Sequence, residues 1–273
     1  MPAQRLLLLP FLVTLACSDS GKNDADSGGT GDTADTGDSS DGSDGTGIPL
    51  RMTIVDGVTG AGVADGELCT VIPESDPPCL TTDADGIIET TWAVSEYSNV
   101  LTRFSQADYT TTLFVGRYDE GVRDGWTTAL ETTDAIELGY AVFSPATVAA
   151  YLATGGITAE PGMGLTVFQL ISGDGSSMEG ISVVLEDDAG EAVGVVGYQA
   201  ADSVSIDREL SATSTSGVVG IANVPPGEYT LRTSHESLTC LPGFAFSSDI
   251  PDATTVPVEA DSQTVGSMVC VAG

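Results

Sequence analysis

The sequence predicts an all-β protein in which two tandem β-sandwiches follow a disordered acidic linker. From Leu50 onward, short runs rich in Val, Ile, Thr and Tyr alternate with turn clusters, and several of these runs alternate with period two, as half-buried strands do. The chain of 273 residues contains 33 Gly and 13 Pro, which argues against a helical bundle. Hydrophobic residues make up 41% of the chain, enough for much of it to bury a core.

The first sixteen residues predict an export signal. A basic residue, Arg5, precedes an apolar run over residues 6–13, and a small residue, Ala16, stands directly before Cys17. This is the pattern of a secretory signal peptide. The apolar run is shorter than the about 20 residues that span a bilayer. We therefore assign residues 1–16 to a signal peptide.

The segment Thr14-Leu15-Ala16-Cys17 resembles the lipobox of bacterial lipoproteins, in which the cysteine is acylated and becomes the mature N-terminus. The family usually has an apolar residue where Thr14 stands, and ordinary signal-peptidase cleavage also fits the same bond. The chain has five Cys, so lipidation of Cys17 leaves an even set for two disulfides. We expect Cys17 to anchor the protein in a membrane. The resemblance implies, through Ser18 in the next position, the outer membrane or surface of a Gram-negative cell.

Residues 17–47 predict a tether. From residue 19 they contain eight Asp, many Gly, Ser and Thr, and no apolar residue larger than Ala, so we expect them to be disordered. Such a chain spans about 30 Å, and repulsion between the carboxylates extends it further. Two Asp-rich fragments, at residues 24–26 and 41–45, are parts of a calcium loop without its closing Glu. Calcium therefore remains an alternative to a plain spacer, and O-glycosylation of the Ser and Thr is open.

The folded part divides into two β-sandwiches, at residues 48–140 and 163–273, with a connector at 141–162. One helix is predicted, within this connector, at residues 144–156. That segment has a Ser N-cap, Pro in the first turn and Gly past the end.

A repeat relates the two halves, because three elements occur in the same order in each. The aligned pairs are Gly62–Leu68 with Glu179–Leu185, Thr82–Ile88 with Thr213–Val219, and Ala107–Thr110 with Gly227–Thr230.

Three motifs of the second half are Gly180-Ile181-Ser182-Val183-Val184-Leu185, Thr213-x-x-x-Gly217, and Asn223-Val224-Pro225-Pro226-Gly227-Glu228-Tyr229-Thr230-Leu231. Through them, this half resembles a carboxypeptidase regulatory-like domain. That group shares a transthyretin-like (prealbumin-like) sandwich with the Cna-B surface modules, and the resemblance implies a structural or binding module rather than a peptidase. The first half has Gln106-Ala107-Asp108-Tyr109 in place of the Pro-Pro-Gly turn. Cna-B modules often carry a Lys–Asn crosslink, but the single Lys here, Lys22, lies in the tether.

Four cysteines remain for the folded part, and they allow three disulfide pairings. The pairing within each domain, Cys69 with Cys79 and Cys240 with Cys270, is the simplest. It closes loops of about ten and about thirty residues. A zinc site is the alternative, although pairs at C-x₂₋₄-C spacing are absent from the sequence.

Other candidate residues have simpler interpretations. The single histidine, His235, stands among polar residues without a G-x-S-x-G motif elsewhere, so we interpret it as a surface residue. The segment Asp83–Gly86 is interpreted as a hairpin turn, with a partial calcium loop as the alternative. Five aromatic residues are interpreted mainly as core, with a sugar-stacking platform as the alternative. They are Trp92, Tyr97, Trp126, Tyr118 and Tyr198.

Charge and composition narrow the function. Forty acidic against eight basic residues give a net charge of −32, so nucleic acid is excluded as a partner. We predict a non-catalytic, membrane-anchored surface module for binding, adhesion or envelope assembly, without a cofactor. Its partner would be a surface protein or a polysaccharide. The alternatives are a glycan-binding protein and a hydrolase with an unrecognised carboxylate site.

Overall fold

The computed structural model describes residues 47–73, 79–92 and 98–273. The predicted signal peptide, Cys17, Lys22, the Asp-rich fragments of the tether and Tyr97 lie outside the described residues.

The described chain forms two β-sandwiches, which confirms the all-β prediction. The strands of the first are β1 (Ile48–Asp56), β2 (Glu67–Ile72), β3 (Cys79–Thr81), β4 (Ile87–Trp92), β5 (Ser98–Ser105), β6 (Thr111–Tyr118) and β7 (Ile136–Val142). Those of the second are β8 (Gly164–Ser172), β9 (Ser182–Glu186), β10 (Val195–Gln199), β11 (Ile206–Asp207), β12 (Val218–Val224), β13 (Gly227–Ser234), β14 (Leu238–Pro242), β15 (Ala253–Val258) and β16 (Ser262–Ala272).

Each sandwich has a small sheet packed against a larger one. In the first, a sheet of order β4-β1-β7 faces β3-β2-β5-β6; in the second, β15-β13-β9 faces β11-β10-β12-β8-β16, with β14 also paired to β16. In strands with one face on a core, alternate residues are buried, as in β1, where Leu50, Met52 and Ile54 enter the first core.

The two larger sheets are one continuous ten-stranded sheet. Strand β6 of the first sandwich pairs in parallel with β16 of the second, from Thr111 opposite Ser262 to Phe114 opposite Val265. We call this β6–β16 pairing the seam. It joins the sandwiches through main-chain hydrogen bonds as well as the linker.

The seam strands are buried on both faces, and the two cores lie on opposite sides of the shared sheet. Phe114 of β6 belongs to the first core, whereas its neighbours Leu113 and Val115 belong to the second. On β16, Val265 belongs to the first core and Met268 to the second. Because successive side chains of a strand point to opposite faces, each three-stranded sheet packs on a different face of the ten-stranded sheet.

The internal repeat is visible in matching hydrogen bonds. The buried Thr82 hydroxyl donates to the Val63 carbonyl at 2.7 Å and accepts from the Gly66 N–H at 2.8 Å. In the second sandwich the Thr213 hydroxyl makes the same two bonds, to the Met178 carbonyl at 2.8 Å and from the Ile181 N–H at 3.1 Å.

Two of the predicted alignments need correction. The hydrogen bonds match Val63 with Met178, so the alignment of Gly62–Leu68 with Glu179–Leu185 was wrong by two residues. Tyr109 lies in the turn between β5 and β6, whereas Tyr229 lies in β13, so these tyrosines are not equivalent. The alignment rested on the shared sequence Asp/Glu-Tyr-Thr, which forms a turn in the first half and part of a strand in the second.

The predicted helix in the connector is present as α2 (Pro145–Thr154). Its N-cap is Ser144, whose hydroxyl oxygen accepts the Thr147 N–H at 3.2 Å. Leu152 packs with Leu165 and Ile206 on the outer face of the second sandwich. The connector is therefore packed rather than free.

A second helix, α1 (Glu120–Leu130), joins β6 to β7, and the expectation of a single helix was wrong. Gly121, Gly125, Thr127 and Thr128 give this segment a low helix propensity, which hid it. It is held by tertiary contacts, with Trp126 as its buried residue.

Candidate functional site

Both predicted disulfides are present, and each joins residues directly opposite each other on antiparallel strands. Cys69 pairs with Cys79 across β2 and β3, and Cys240 with Cys270 across β14 and β16. The first is half-buried at the end of the large sheet, whereas the second is inside the core. Both therefore act as covalent crosslinks between neighbouring strands.

The four disulfide-bonded cysteines have no free thiolate, so they do not supply the ligands of the alternative zinc site. Within the described residues, the one convergent group of three potential metal ligands is Glu67 with Cys69 and Cys79. Both sulfurs of that group are already bonded to each other. A disulfide sulfur has no thiolate to offer a metal ion.

The Asp83–Gly86 segment is a tight turn, but it joins β3 to β4, which lie in different sheets, so the prediction of a hairpin was wrong. One carboxylate oxygen of Asp83 accepts the N–H groups of Asp85 and Ile87, at 2.9 and 2.8 Å. Gly86 has a φ of +75°, and added side-chain atoms there would meet the Ile54 carbonyl oxygen at 2.3 Å. The close approach of two backbones explains the glycine, and the equivalent Gly217 faces the Leu170 carbonyl oxygen in the same way.

His235 lies in a shallow, open polar groove at one end of the second sandwich. Four Ser and Glu236 also line it, and Glu236 is the single carboxylate among these described lining residues. The His235 Nδ1 accepts the Ser237 N–H at 3.2 Å, and the Ser182 hydroxyl donates to the Ser211 carbonyl at 2.9 Å. These bonds are local and structural, and they give His235 the surroundings of a surface residue.

The four described aromatic candidates do not form an exposed platform. Tyr118, Trp126 and Tyr198 are 5%, 7% and 4% exposed, so the sugar-stacking alternative was wrong for these three. The Tyr198 hydroxyl accepts the Val183 N–H at 2.9 Å and so links the two sheets of the second sandwich. Trp92 is the half-buried member of the described set.

Three of these rings form a compact cluster, which we call the aromatic triad: Trp92, Tyr118 and Trp126. Their centroids are 5.6 Å apart for Trp92–Tyr118, 5.8 Å for Trp92–Trp126 and 5.7 Å for Tyr118–Trp126. The ring planes differ by 49° to 62°, so no pair is stacked in parallel. The ends of β4 and β6 supply two rings, and α1 supplies the third.

Charged side chains fix the start of α1 beside the triad. Asp119 is the N-cap and accepts the Val122 N–H at 2.9 Å. Its other carboxylate oxygen lies 2.9 Å from Arg117 Nε. Arg123 pairs with Asp124 at 2.8 Å and Glu120 at 3.5 Å.

Beside the seam, polar side chains join the two sandwiches in contacts that the sequence did not reveal. Arg103 of the first sandwich forms an ion pair with Glu259 of the second at 2.9 Å. The Asn99 side-chain oxygen accepts both the N–H and the hydroxyl of Ser247 at 2.8 Å. The one local signal of the seam was the apolar run Leu113-Phe114-Val115, which is buried on both faces. A half-buried strand alternates apolar and polar residues instead.

Burial raises the pKa of five described tyrosines, which are Tyr109, Tyr140, Tyr151, Tyr198 and Tyr229. It raises the pKa of Tyr140, which packs on Phe114 with 4.2 Å between centroids, to about 12. It also raises the pKa of Tyr151 on α2 to about 12, against a smaller opposite effect of a hydrogen bond with Gln199. Burial raises the pKa of Tyr198 in the same sense. Neutral, packed phenols are structural groups rather than proton donors or acceptors at neutral pH.

Neither described helix is long and apolar enough to cross a membrane. No family model matches the chain, and no curated protein matches its sequence.

Solved structures resemble it only distantly. The minor pilin of Streptococcus agalactiae is 11% identical, with 83% of this chain and 96% of that one covered and a TM-score of 0.29. The major pilin subunit of Bacillus cereus is 10% identical, with 81% and 99% covered and a TM-score of 0.26. The Bacillus anthracis TIE protein is 11% identical with a TM-score of 0.27, and 82% of this chain spans 34% of it. At these TM-scores the likeness carries no argument about function.

Proposed function

We propose that this chain is an exported surface lipoprotein whose fused sandwiches form a rigid, non-catalytic module for adhesion or envelope assembly. The observation that carries the proposal is the continuous sheet across the seam. Two domains on a free linker move relative to each other, whereas domains that share a sheet and exchange core residues move as one body. Such a body can hold a binding surface at a fixed distance and orientation.

The predicted membrane anchor supports the same role. An acylated Cys17 and an acidic tether of residues 17–47 would place the rigid body away from the membrane. Repulsion by the net charge of −32 would also keep it off an anionic bilayer. The two disulfides suit an exported protein that must persist in an oxidising environment.

Cell fractionation tests the anchor. We expect the full chain to be recovered with membranes and to partition into the detergent phase. The Cys17→Ala variant should be released as an exported, soluble protein. Ser18→Ala is the matched control, because it changes the neighbouring residue and keeps the acylated cysteine. Equal membrane recovery of Cys17→Ala and the unmodified chain would contradict lipid anchoring.

Affinity capture tests the binding role. The mature chain with Cys17→Ser, which remains soluble, is used as bait on detergent-solubilised envelope, with and without calcium. We expect one stoichiometric surface protein. Recovery of polysaccharide instead would favour the glycan-binding alternative, and an empty capture under both conditions would contradict a binding module.

A further inference from the structure

We propose that the free edge of β7 is a docking site for an extended segment of a surface protein, rich in lysine or arginine, which adds to the sheet β4-β1-β7 as a fourth strand. The inference rests on the proposed binding role and names the class of partner and the surface that takes it. The edge of a β-sheet presents a row of main-chain N–H and carbonyl groups with which another extended chain can pair.

Strand β7 has one neighbouring strand, β1, and three of its residues turn their main-chain groups away from it. The Gly57 N–H donates to the Val142 carbonyl at 2.9 Å, and alternate residues of a parallel strand bond to the same neighbour. Glu137, Gly139 and Ala141 therefore face the free side of β7. We call their N–H and carbonyl groups the open edge. None of these groups has a hydrogen-bond partner within the described residues.

The open edge is exposed and regular. Glu137 and Gly139 are exposed, and the exposed surface of Gly139 is main chain, because glycine has no side chain. A side-chain atom added at Gly139 would have no neighbour within 4 Å. The pairing of β7 with β1 runs without a bulge from Ile136 to Val142. A partner strand therefore has both space and a straight template at this edge.

The repeat identifies β16 as the strand of the second sandwich that corresponds to β7. Ile54 of β1 and Leu170 of β8 each donate to the carbonyl of the equivalent turn glycine at 2.8 Å, so these two residues correspond. Tyr140 of β7 lies opposite Ile54, and Met268 of β16 lies opposite Leu170, in parallel pairings. Tyr140 and Met268 therefore correspond, and this fixes the register between β7 and β16.

On β16 the corresponding edge is fully paired. In order, the residues that correspond to the open edge are Val265, Ser267 and Val269. Val265 lies opposite Phe114 of β6 in the seam. The Ser267 N–H donates to the Phe244 carbonyl at 2.6 Å, and Val269 pairs with β14. In this protein, an edge of this kind thus takes extended chain along its whole length.

The other strands at the ends of the three sheets are short or blocked. Strands β3 and β11 have three and two residues. On β9 a main-chain N–H donates to the Tyr198 hydroxyl at 2.9 Å. On β15, Pro257 has no N–H, and its carbonyl accepts the Thr264 hydroxyl at 2.5 Å. On β4, Asp83 binds both main-chain groups of Ile87. Strand β7 therefore has the longest uninterrupted free edge of the described chain.

Charge selects a basic segment as the occupant. Glu131, Asp134 and Glu137 are exposed and form no ion pair within the described residues. No Lys, Arg or His occurs from residue 124 to residue 207. A strand added beside Glu137 would place a side chain about 5 Å away, so a lysine or arginine there could pair with the carboxylate.

A second copy of this chain is disfavoured as the occupant. Two chains that each carry −32 repel each other. Within the second sandwich, β15 follows β13 as β6 follows β5, so β15 is the strand that would repeat the seam. Pro257 lies on the free edge of that strand, where it removes a donor.

Peptide binding tests the proposal. The mature chain with Cys17→Ser is titrated with a fluorescein-labelled peptide in which lysine alternates with valine, and with a matched peptide in which glutamate replaces lysine. Fluorescence anisotropy measures the affinity, and amide hydrogen exchange locates the bound peptide. We expect saturable binding of the lysine peptide, at least about tenfold weaker binding of the glutamate peptide, and slower exchange at Glu137, Gly139 and Ala141. No saturable binding of the lysine peptide, or unchanged exchange at these three residues, would overturn the proposal.

Variants separate strand pairing from charge. Gly139→Pro removes one N–H of the open edge and should weaken the lysine peptide about tenfold, whereas Gly139→Ala keeps that N–H and should bind like the unmodified chain. Glu137→Lys should weaken it about fivefold, and Glu89→Lys, the same charge change on β4, should have a smaller effect. Circular dichroism checks that each variant is folded. Full affinity in a folded Gly139→Pro protein, or equal effects of the two Glu→Lys changes, would overturn the assignment.

The envelope capture distinguishes this inference from the binding role on which it rests. A partner that the unmodified chain and the Gly139→Pro variant capture equally would overturn the open edge as the docking site and leave the binding role standing. An empty capture by the unmodified chain would contradict the binding role, while the peptide titration still decides whether the open edge takes a basic strand.

Discussion

The two sandwiches share one hydrogen-bonding scheme but differ in what covers them. Thr82 and Thr213 make the same two buried hydrogen bonds, and Gly86 and Gly217 permit the same close approach of backbones. The first sandwich has its disulfide half-buried at a sheet end and a glycine-containing helix over aromatic rings. The second has a buried disulfide and an alanine-rich helix. The shared threonine and glycine contacts maintain the fold of both sandwiches, whereas the disulfides and the covering helices differ between them.

The largest expected difference concerns the disulfides. Replacing both Cys240 and Cys270 by Ala should lower the free energy of unfolding by about 4 kcal/mol, because the bond closes the longer loop and lies in the core. The same change at Cys69 and Cys79 should cost about 2–3 kcal/mol, since its loop is shorter and it is half-buried. Guanidinium denaturation of the two double variants measures both values. A larger loss of unfolding free energy at the Cys69–Cys79 pair would contradict this ranking of the two disulfides.

The buried threonines should behave alike in the two sandwiches. Thr82→Val and Thr213→Val each leave a backbone N–H and a carbonyl without their partner, and each should cost about 2–3 kcal/mol. Thr→Ser at each position keeps the hydroxyl and serves as the control. Unequal costs in urea denaturation would show that the repeat is equivalent in geometry and not in energy.

Alkaline pH should destabilise both sandwiches over the same range. The pKa of Tyr140 in the first sandwich and of Tyr151 on α2 is raised to about 12, against 10.0 in the unfolded chain. Below pH 10 both tyrosines are protonated in the folded and the unfolded chain, and their full contribution to stability is present. Between pH 10 and 12 the tyrosines of the unfolded chain lose their protons first, so the free energy of unfolding falls. After allowance for partial exposure, each tyrosine should contribute about 1–2 kcal/mol. The loss should shrink in Tyr140→Phe and in Tyr151→Phe when unfolding is followed as a function of pH.

The smallest expected effect belongs to the ion pair that joins the two sandwiches beside the seam. Arg103 and Glu259 have side chains that are 47% and 38% exposed, so Glu259→Gln should cost less than about 1 kcal/mol and less still at high salt. Glu89→Gln is the matched control, because it breaks the Arg51–Glu89 pair inside the first sandwich. Thermal denaturation at low and high salt compares them. A loss of several kcal/mol for Glu259→Gln would mean that the seam depends on charge rather than on packing.

Local patterns in the sequence predicted much of the fold. Strand periodicity, the Ser144 cap of α2 and the spacing of the four cysteines each concern neighbouring residues or a single covalent bond. The sequence did not predict α1, because its glycines and threonines disfavour a helix and its stability depends on Trp126 packing. Yet Asp119 as an N-cap, followed by apolar residues at 122, 126, 129 and 130, was an available signal.

The seam could not be predicted in the same way. Its pairing brings Thr111–Phe114 next to Ser262–Val265, about 150 residues later in the chain, and no local pattern states which edge strand meets which. Leu113 of the first sandwich lies in the second core, and Val265 of the second sandwich lies in the first core, because of that pairing alone. The aromatic triad was missed for the same reason, because Trp92, Tyr118 and Trp126 come from three elements separated in sequence.

Unfolding followed separately in each sandwich tests the fused architecture most directly. Tryptophan fluorescence reports on the first sandwich, and hydrogen exchange of β9 and β13 reports on the second, both across one guanidinium titration of the mature chain with Cys17→Ser. We expect the two midpoints to coincide, and Leu113→Ala, a change in a first-sandwich strand, to lower both by the same amount. Two separate transitions, with Leu113→Ala affecting one of them, would contradict a single body built on a shared sheet.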